Sequence, residues 1–260
     1  MNAGRPLEGM GIVLTRPLAQ SRAMAGRLEP LGATVFVFPS LAIEDPADIG
    51  QLDRTIAELD RFTLGIFVSA NAVERGLDAV RTRRAWPPGL RVAAVGGATA
   101  QALRDAGHEE VIVPTTGADS EALLALPQLQ SVEGKDIIVF RGEGGRELIA
   151  QVLAGRGARV TCLTCYRRVR PDGDPEPLLA AWRAGKVDAV SAMSAESLAN
   201  FLEMVGAEGR TLMQSTSLLV PHPRIAERAQ RLGFDRIAVT DAAAEGLANA
   251  LSELAQGRKP

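Results

Sequence analysis

Gly11-Ile12-Val13-Leu14-Thr15-Arg16 is the first apolar run of the chain, and Asp136-Ile137-Ile138-Val139-Phe140-Arg141 repeats its form nearly half of the 260 residues later. Each is a short, β-branched stretch that runs into an arginine and is followed by a helical pattern, as expected of a strand inside a parallel sheet. The echo continues downstream: Val68-Ser69-Ala70 closes the third apolar run of the first half, and Val190-Ser191-Ala192 closes that of the second. The pattern predicts strands over 11–15, 34–38, 64–68, 91–95 and 111–113, then over 136–140, 159–167, 188–191, 217–220 and 236–239. Two copies of a five-strand doubly wound α/β unit account for the length without a long structureless loop.

Local signals between the strands agree with helices. Ser69 or Asn71, Asp119 or Ser120, and Ser194 stand where N-caps belong, with Glu74, Glu121 and Glu196 in or near the first turns. Gly32, Gly107, Gly157 and Gly233 fall where helices should stop. The second strand of each half is extended and runs into proline, over 35–46 and 159–171, which makes these two segments candidates for links between domains.

Composition narrows the function classes. Hydrophobic residues make up 46% of the chain and charged residues 23%, the balance of a globular protein. No apolar run approaches the ~20 residues that a membrane-spanning helix needs. The polar, Gly- and Pro-containing start up to Met10 lacks the apolar core of a signal peptide, so a cytoplasmic location is the default expectation. A net charge of -2 argues against nonspecific nucleic-acid binding, which needs a basic surface. Lysine occurs only at Lys135, Lys186 and Lys259, so the 29 basic residues are almost all arginine, the better bidentate partner for carboxylates. Cys162 and Cys165 form a CxxC, but inside a β-rich run, where residues three apart point to opposite faces. With His108 and His222 the only histidines, a zinc site lacks ligands, and a structural role is expected for both thiols.

Several strand-to-helix turns can carry chemistry. Arg141-Gly142-Glu143-Gly144-Gly145-Arg146-Glu147 sits where a phosphate-binding turn would lie, yet it lacks the full GxGxxG spacing, and no acid ends the next strand. Its backbone amides suit a carboxylate as well as a phosphate. Val95-Gly96-Gly97-Ala98-Thr99-Ala100, the turns around Ser69-Ala70-Asn71 and Ser191 to Ala195, and Val220-Pro221-His222-Pro223-Arg224-Ile225 follow other predicted strands. Open α/β sheets bind ligands at the carboxyl ends of their strands, so together these turns predict a polar rim for a large ligand with several negative groups. His222 is readable as a general acid or base, or as a rigid turn residue between prolines. Ser69, Ser191 and Ser194 have no histidine and acid placed for a hydrolase triad. Tyr166, the only tyrosine, precedes two arginines and is readable as a proton donor or as a packed residue of the interdomain link.

Taken in order, Leu14-Thr15-Arg16-Pro17, Phe67-Val68-Ser69-Ala70-Asn71-Ala72-Val73, Ala94-Val95-Gly96-Gly97-Ala98-Thr99-Ala100, Arg141 to Glu147, Tyr166-Arg167 and His222-Pro223-Arg224-Ile225-Ala226 resemble uroporphyrinogen-III synthase along nearly the whole chain. The resemblance implies two flavodoxin-like doubly wound parallel-sheet domains joined by a two-stranded linker, with the active site in the interdomain cleft. On that pattern one discontinuous domain comprises 1–38 and 171–260, the other 46–165, and the linker strands about 39–45 and 166–170. It implies a monomeric enzyme of tetrapyrrole (porphyrin, heme) biosynthesis, without cofactor or metal, that cyclises hydroxymethylbilane to uroporphyrinogen III. Water is lost, and ring D is inverted through a spiro intermediate.

By the same resemblance Arg16, Arg141, Arg146 and Arg224 are expected at substrate carboxylates. The amides and hydroxyls of Ser69, Ala70, Asn71, Gly96, Gly97, Thr99, Gly142, Gly144, Gly145, Ser191, Ser194 and Ala195, with His222, are expected to join them. Tyr166 is the candidate for assisting departure of the hydroxyl. A small hydroxyl residue is common in relatives where this chain has His222-Pro223-Arg224-Ile225. A transient contact with hydroxymethylbilane synthase is implied, and no nucleic-acid or membrane partner. Two other classes compete: a nucleotide-dependent oxidoreductase resting on the Gly142 to Gly145 turn, and a non-catalytic two-domain sensor of a tetrapyrrole or sugar.

Overall fold

A computed structural model describes residues 5–117, 119–145, 147–241 and 243–257. In chain order the first elements are β1 (Gly11–Leu14), α1 (Leu18–Leu28), β2 (Thr34–Val37), β3 (Ala42–Glu44), α2 (Ile49–Ala57), β4 (Leu64–Phe67), α3 (Ala70–Arg81) and β5 (Arg91–Ala94). Next come α4 (Gly97–Asp105), β6 (Val111–Ile112), α5 (Ser120–Leu124), β7 (Asp136–Gly142), α6 (Leu148–Gly155) and β8 (Arg159–Val169). The chain then continues through α7 (Glu176–Arg183), β9 (Ala189–Ser191), α8 (Ala195–Met204), α9 (Gly206–Met213), β10 (Ser217–Val220), α10 (Pro223–Arg231), β11 (Ile237–Val239) and α11 (Ala244–Gln256).

Two compact units result, one formed by the chain up to Ala42 with the chain from Val169 onward, the other by Ile43–Arg168. The first unit's sheet has the order β11-β10-β9-β1-β2, and every pairing in it is parallel. The second has the order β3-β8-β7-β4-β5-β6, with parallel pairing from β8 through β6.

Burial explains which strands are central. β1, β4 and β9 are buried at every residue, the continuous apolar run of a strand covered on both faces, whereas the edge strands β2, β6 and β11 are half-exposed. In the first unit Val13, Val190 and Leu218 face α7 to α10, while Ile12, Leu14 and Leu219 face α1 and α11. In the second, Ile138 and Phe140 pack against α2, α3 and α4, while Ile137 and Val139 pack against α5 and α6. Phe67 and Phe140 stack with centroids 4.3 Å apart, and Gly76 lets α3 approach them, since a Cβ there would lie 2.9 Å from the Phe140 ring.

The ten predicted strands are all present within a few residues of their expected bounds, and both cysteines are free. Three points differ from the sequence reading. The extended segment 35–46 is interrupted and yields two strands, β2 and β3, in different sheets. The repeat by itself does not mark the two units, for which the resemblance implied a discontinuous division: β1 and β2 pair into the sheet of β9 to β11, and β7 and β8 into that of β4 to β6. Tyr166 to Arg168 are part of an unbroken β8 that extends to Val169.

Candidate active site

The strand orders bring the predicted turns side by side at the carboxyl ends of each sheet. In the second unit, Tyr166 on β8, Gly142 at the end of β7 with the turn that follows it, Ser69 after β4 and Gly96 after β5 follow one another along neighbouring strands. In the first unit the corresponding sequence is Arg16 after β1, Ser191 and Ser194 with β9, and His222 after β10. The order in which strands are added reverses between β7 and β4, and between β1 and β9, while the pairing stays parallel; these are the switch points where open α/β sheets hold ligands.

Ser69 caps α3, its Oγ accepting from the Ala72 amide at 3.1 Å. Ala70 and Asn71 therefore head a twelve-residue helix with amides that have no acceptor inside it. Gly96 caps α4 from an extended conformation without a side-chain bond, leaving Gly97 exposed in the first turn and Thr99 buried behind it. Ser194 caps α8 in a reciprocal box with Ser197, and Ala195 is exposed at its start. Thus the Val-Ser-Ala echo aligns residues of unlike role: Ser69 is a cap two residues beyond its strand, while Ser191 is the buried last residue of β9. Sequence spacing did not reveal that Ser194 is the structural counterpart of Ser69.

Hydroxyls stiffen the first unit's rim. Thr15 Oγ1 donates to the Ser191 carbonyl at 2.8 Å, Ser21 Oγ to the Arg16 carbonyl at 2.8 Å, and Ser40 Oγ to the Ser197 carbonyl at 2.8 Å. Burial lowers the Arg16 pKa from its ordinary value. His222 is exposed and caps α10 through Nδ1, which accepts from the Arg224 amide at 3.1 Å; an acceptor Nδ1 puts the proton of the neutral ring on Nε2. Arg224 is exposed in the first turn of that helix.

Arg141 is placed otherwise than the sequence reading expected. It is 8% exposed, and its guanidinium faces the glycine turn rather than an open rim. Nη1 donates to Glu147 Oε1 at 2.7 Å and to Cys162 Sγ at 3.9 Å, Nε to the Gly142 carbonyl at 3.4 Å, and Nη2 to the Gly145 carbonyl. Burial works against its charge, and the hydrogen bonds to Glu147 and Cys162 offset this, so its pKa is raised. Gly144 and Gly145 are exposed on the turn it braces. Arg146 lies outside the described residues. Glu147 and Cys162 as partners of Arg141 were missed, because both depend on how the turn folds back on its own strand.

Tyr166 is wholly buried, and its hydroxyl lies 3.1 Å from Ser69 Oγ. Its ring covers Gly142, where a Cβ would stand 2.6 Å from the ring carbon Cζ, so only glycine admits it. The Arg168 guanidinium carbon is 6.0 Å from the ring centre. A bulge makes this orientation: Arg141 pairs with Thr164 but Gly142 with Tyr166, leaving Cys165 as the extra residue. Cys165 and Tyr166 therefore pack into the same cluster as Leu163, whereas Cys162 packs on the opposite face. Burial pushes the Cys165 thiol up to about 12, against a smaller lowering by the backbone bond from Arg141.

Among the described residues no group of three or more His, Cys, Asp or Glu side chains is gathered as a metal site, and no helix is long and apolar enough to cross a membrane. A crevice of about 800 Å³ runs along the edge strand β6 between Arg91, His108 and Leu126, and none of the predicted site residues lines it.

Comparison with known proteins places this geometry. The sequence model of the family described as "Uroporphyrinogen-III synthase HemD" matches residues 22–249. The uroporphyrinogen-III synthase of Escherichia coli K12 is 33% identical over 236 residues, covering 89% of this chain and 95% of that protein. That of Synechococcus elongatus is 32% identical, covering 79% of this chain and 78% of its own length. Among solved structures, a mutant uroporphyrinogen III synthase of Thermus thermophilus superposes with a TM-score of 0.62 at 21% identity, over 96% of this chain and all (100%) of its own. The Helicobacter pylori 26695 enzyme superposes with a TM-score of 0.58 at 16% identity, over 96% and 100%. At such identities the structures speak for the fold alone; the family match, spanning most of the sequence, establishes that the chain belongs to the uroporphyrinogen-III synthase family.

Proposed function

We propose that the protein is a cofactor-free lyase that closes hydroxymethylbilane to uroporphyrinogen III with inversion of ring D, releasing water. The observation that carries this reading is the family match over residues 22–249. The chemistry of the rims supports it. A flexible bilane with eight carboxylates must be held with its ends together, a task of orientation more than of acid or base strength. Uncapped amides at Ala70 and Asn71, Gly97, and Ala195, with Arg16, Arg146 and Arg224, are groups suited to that load.

Arg141 serves the substrate indirectly, by bracing the turn that presents the amides of Gly144 and Gly145. Loss of the terminal hydroxyl gives an azafulvene; attack on it by the substituted carbon of the far ring forms the spiro intermediate, whose fragmentation and reclosure invert ring D. The reaction is assigned to the cytoplasm, with the unstable bilane passed on in a transient contact with the enzyme that makes it. The test supplies enzymatically generated hydroxymethylbilane and separates the ring isomers by chromatography. Isomer III in excess of the uncatalysed isomer I is the expected product, and isomer I alone rejects the assignment.

A further inference from the structure

We infer that the Ser69 hydroxyl is the proton donor to the departing hydroxyl of the substrate, and that Tyr166 acts through Ser69 without touching the substrate. The inference rests on the proposed synthase reaction and assigns a catalytic residue within it.

The directions of two hydrogen bonds carry the argument. Tyr166 is wholly buried, in the same core cluster as Phe67, Phe140 and Leu163, and among the described residues Ser69 Oγ is the hydrogen-bond partner its hydroxyl has. Were Ser69 the donor in that pair, the buried phenolic proton would be left without an acceptor among the described residues, a costly arrangement. The phenol is therefore the donor. Ser69 Oγ also accepts from the Ala72 amide, so both of its lone pairs are engaged. Its own proton remains to be donated, and Ser69, half-buried beside exposed Ala70, is the member of the pair that solvent reaches.

The surroundings favour this polarity. Negative charge on the oxygen leaving at this point meets the amino end of α3, whose first amides carry partial positive charge. The substrate C–O bond breaks with its electron pair going to oxygen, which takes the Ser69 proton and departs as water. Ser69 Oγ is reprotonated from the Tyr166 hydroxyl. The proton shed by the pyrrole nitrogen as the azafulvene forms returns through the same two hydroxyls, so the enzyme is restored with no other reactant. The relay spreads the developing charge over both oxygens and the helix terminus.

A double-mutant cycle on the full chain tests the assignment. Ser69→Gly removes the hydroxyl while keeping a residue acceptable at an N-cap, Ser69→Thr keeps the hydroxyl, and Tyr166→Phe removes the phenol oxygen alone. Each is assayed for the turnover rate of isomer III formation and for its melting temperature. The expected result is a loss of roughly 10- to 100-fold for Ser69→Gly and for Tyr166→Phe, within the range for a lost proton donor. The double variant should fall no further than Ser69→Gly, and Ser69→Thr should recover most of the wild-type rate. Independent, multiplying losses would overturn the relay by putting Tyr166 on the substrate itself. Ser69→Gly at full rate would overturn the donor assignment. A wild-type protein yielding only isomer I would instead reject the functional reading on which the proposal stands.

Discussion

The phenolic oxygen of Tyr166 lies 3.1 Å from the hydroxyl of Ser69, a residue 97 positions earlier in the chain, and this bond joins the end of β8 to the start of α3 across β7. The strand between them makes room by carrying Gly142 at the crossing point.

Gly142→Ala should therefore behave as a Tyr166 variant. Its Cβ, 2.6 Å from the Tyr166 ring carbon Cζ, must displace the ring and break the bond to Ser69. Overpacking of this kind costs about 1–3 kcal/mol of stability. Turnover should fall at least tenfold in the isomer assay, and a variant with normal turnover would detach the ring position from activity.

Arg141→Ala should act on the turn. It removes the donors to Glu147, Gly142 and Gly145 and leaves the buried Gly142 carbonyl without this partner, a loss of about 1–3 kcal/mol, discounted because Gly145 is exposed and Glu147 is itself 57% exposed. KM should rise more than turnover falls, since the bilane loses ordered amides. Denaturant midpoints and kinetics on Arg141→Ala and Arg141→Lys measure both effects. Lysine should restore little, having no planar fork to reach three acceptors.

Ser40 holds the first unit's rim. Its hydroxyl donates to the Ser197 carbonyl at 2.8 Å, and its own carbonyl accepts from Asn200 at 3.0 Å. Ser40→Ala keeps the backbone bond but loses the hydroxyl, and it should cost about 1–2 kcal/mol in urea unfolding with the fold retained. A change of under a few tenths would show the carbonyl to be satisfied elsewhere.

Cys165 makes stability depend on alkaline pH. Its thiol is pushed up to about 12 by burial, against 9.0 for an ordinary thiol, so folding favours the protonated form. The resulting stabilisation is fully present below pH 9 and is lost as pH rises from 9 toward 12. Comparing unfolding of the wild type with Cys165→Val at pH 8 and pH 10 should show about 1.4 kcal/mol more loss in the wild type, from 1.36 kcal/mol per unit. A thiol reagent at pH 8 should label Cys165 only after unfolding.

Much of the fold is visible in local pattern. Runs such as Ile12-Val13-Leu14 and Ile137-Ile138-Val139 announce buried parallel strands because both of their faces need apolar side chains, and Asp119 and Ser194 announce helix starts because unpaired amides need an acceptor. The candidate site was visible as far as chemistry and order along the chain allow: arginines and capped turns following strands. Arg141 shows the limit. Its position at a strand end was read correctly, but whether its guanidinium points to a ligand or folds back on Gly145 is set by the conformation of the turn.

Local pattern is enough for two sets of short parallel strands with helices between them, since side-chain periodicity and end-capping act over a few residues. Periodicity and repeat did not show which set each strand joins, a division that came from the family resemblance and is seen in the strand pairing, and they did not show which way Tyr166 faces. Partner choice depends on hydrogen bonds and packing between segments far apart in the chain, so β1 and β2 finish a sheet begun by β9 to β11. One extra residue opposite β7, Cys165, turns the tyrosine onto the face where Ser69 waits, and no spacing rule within a single strand foretells a bulge that its neighbour imposes.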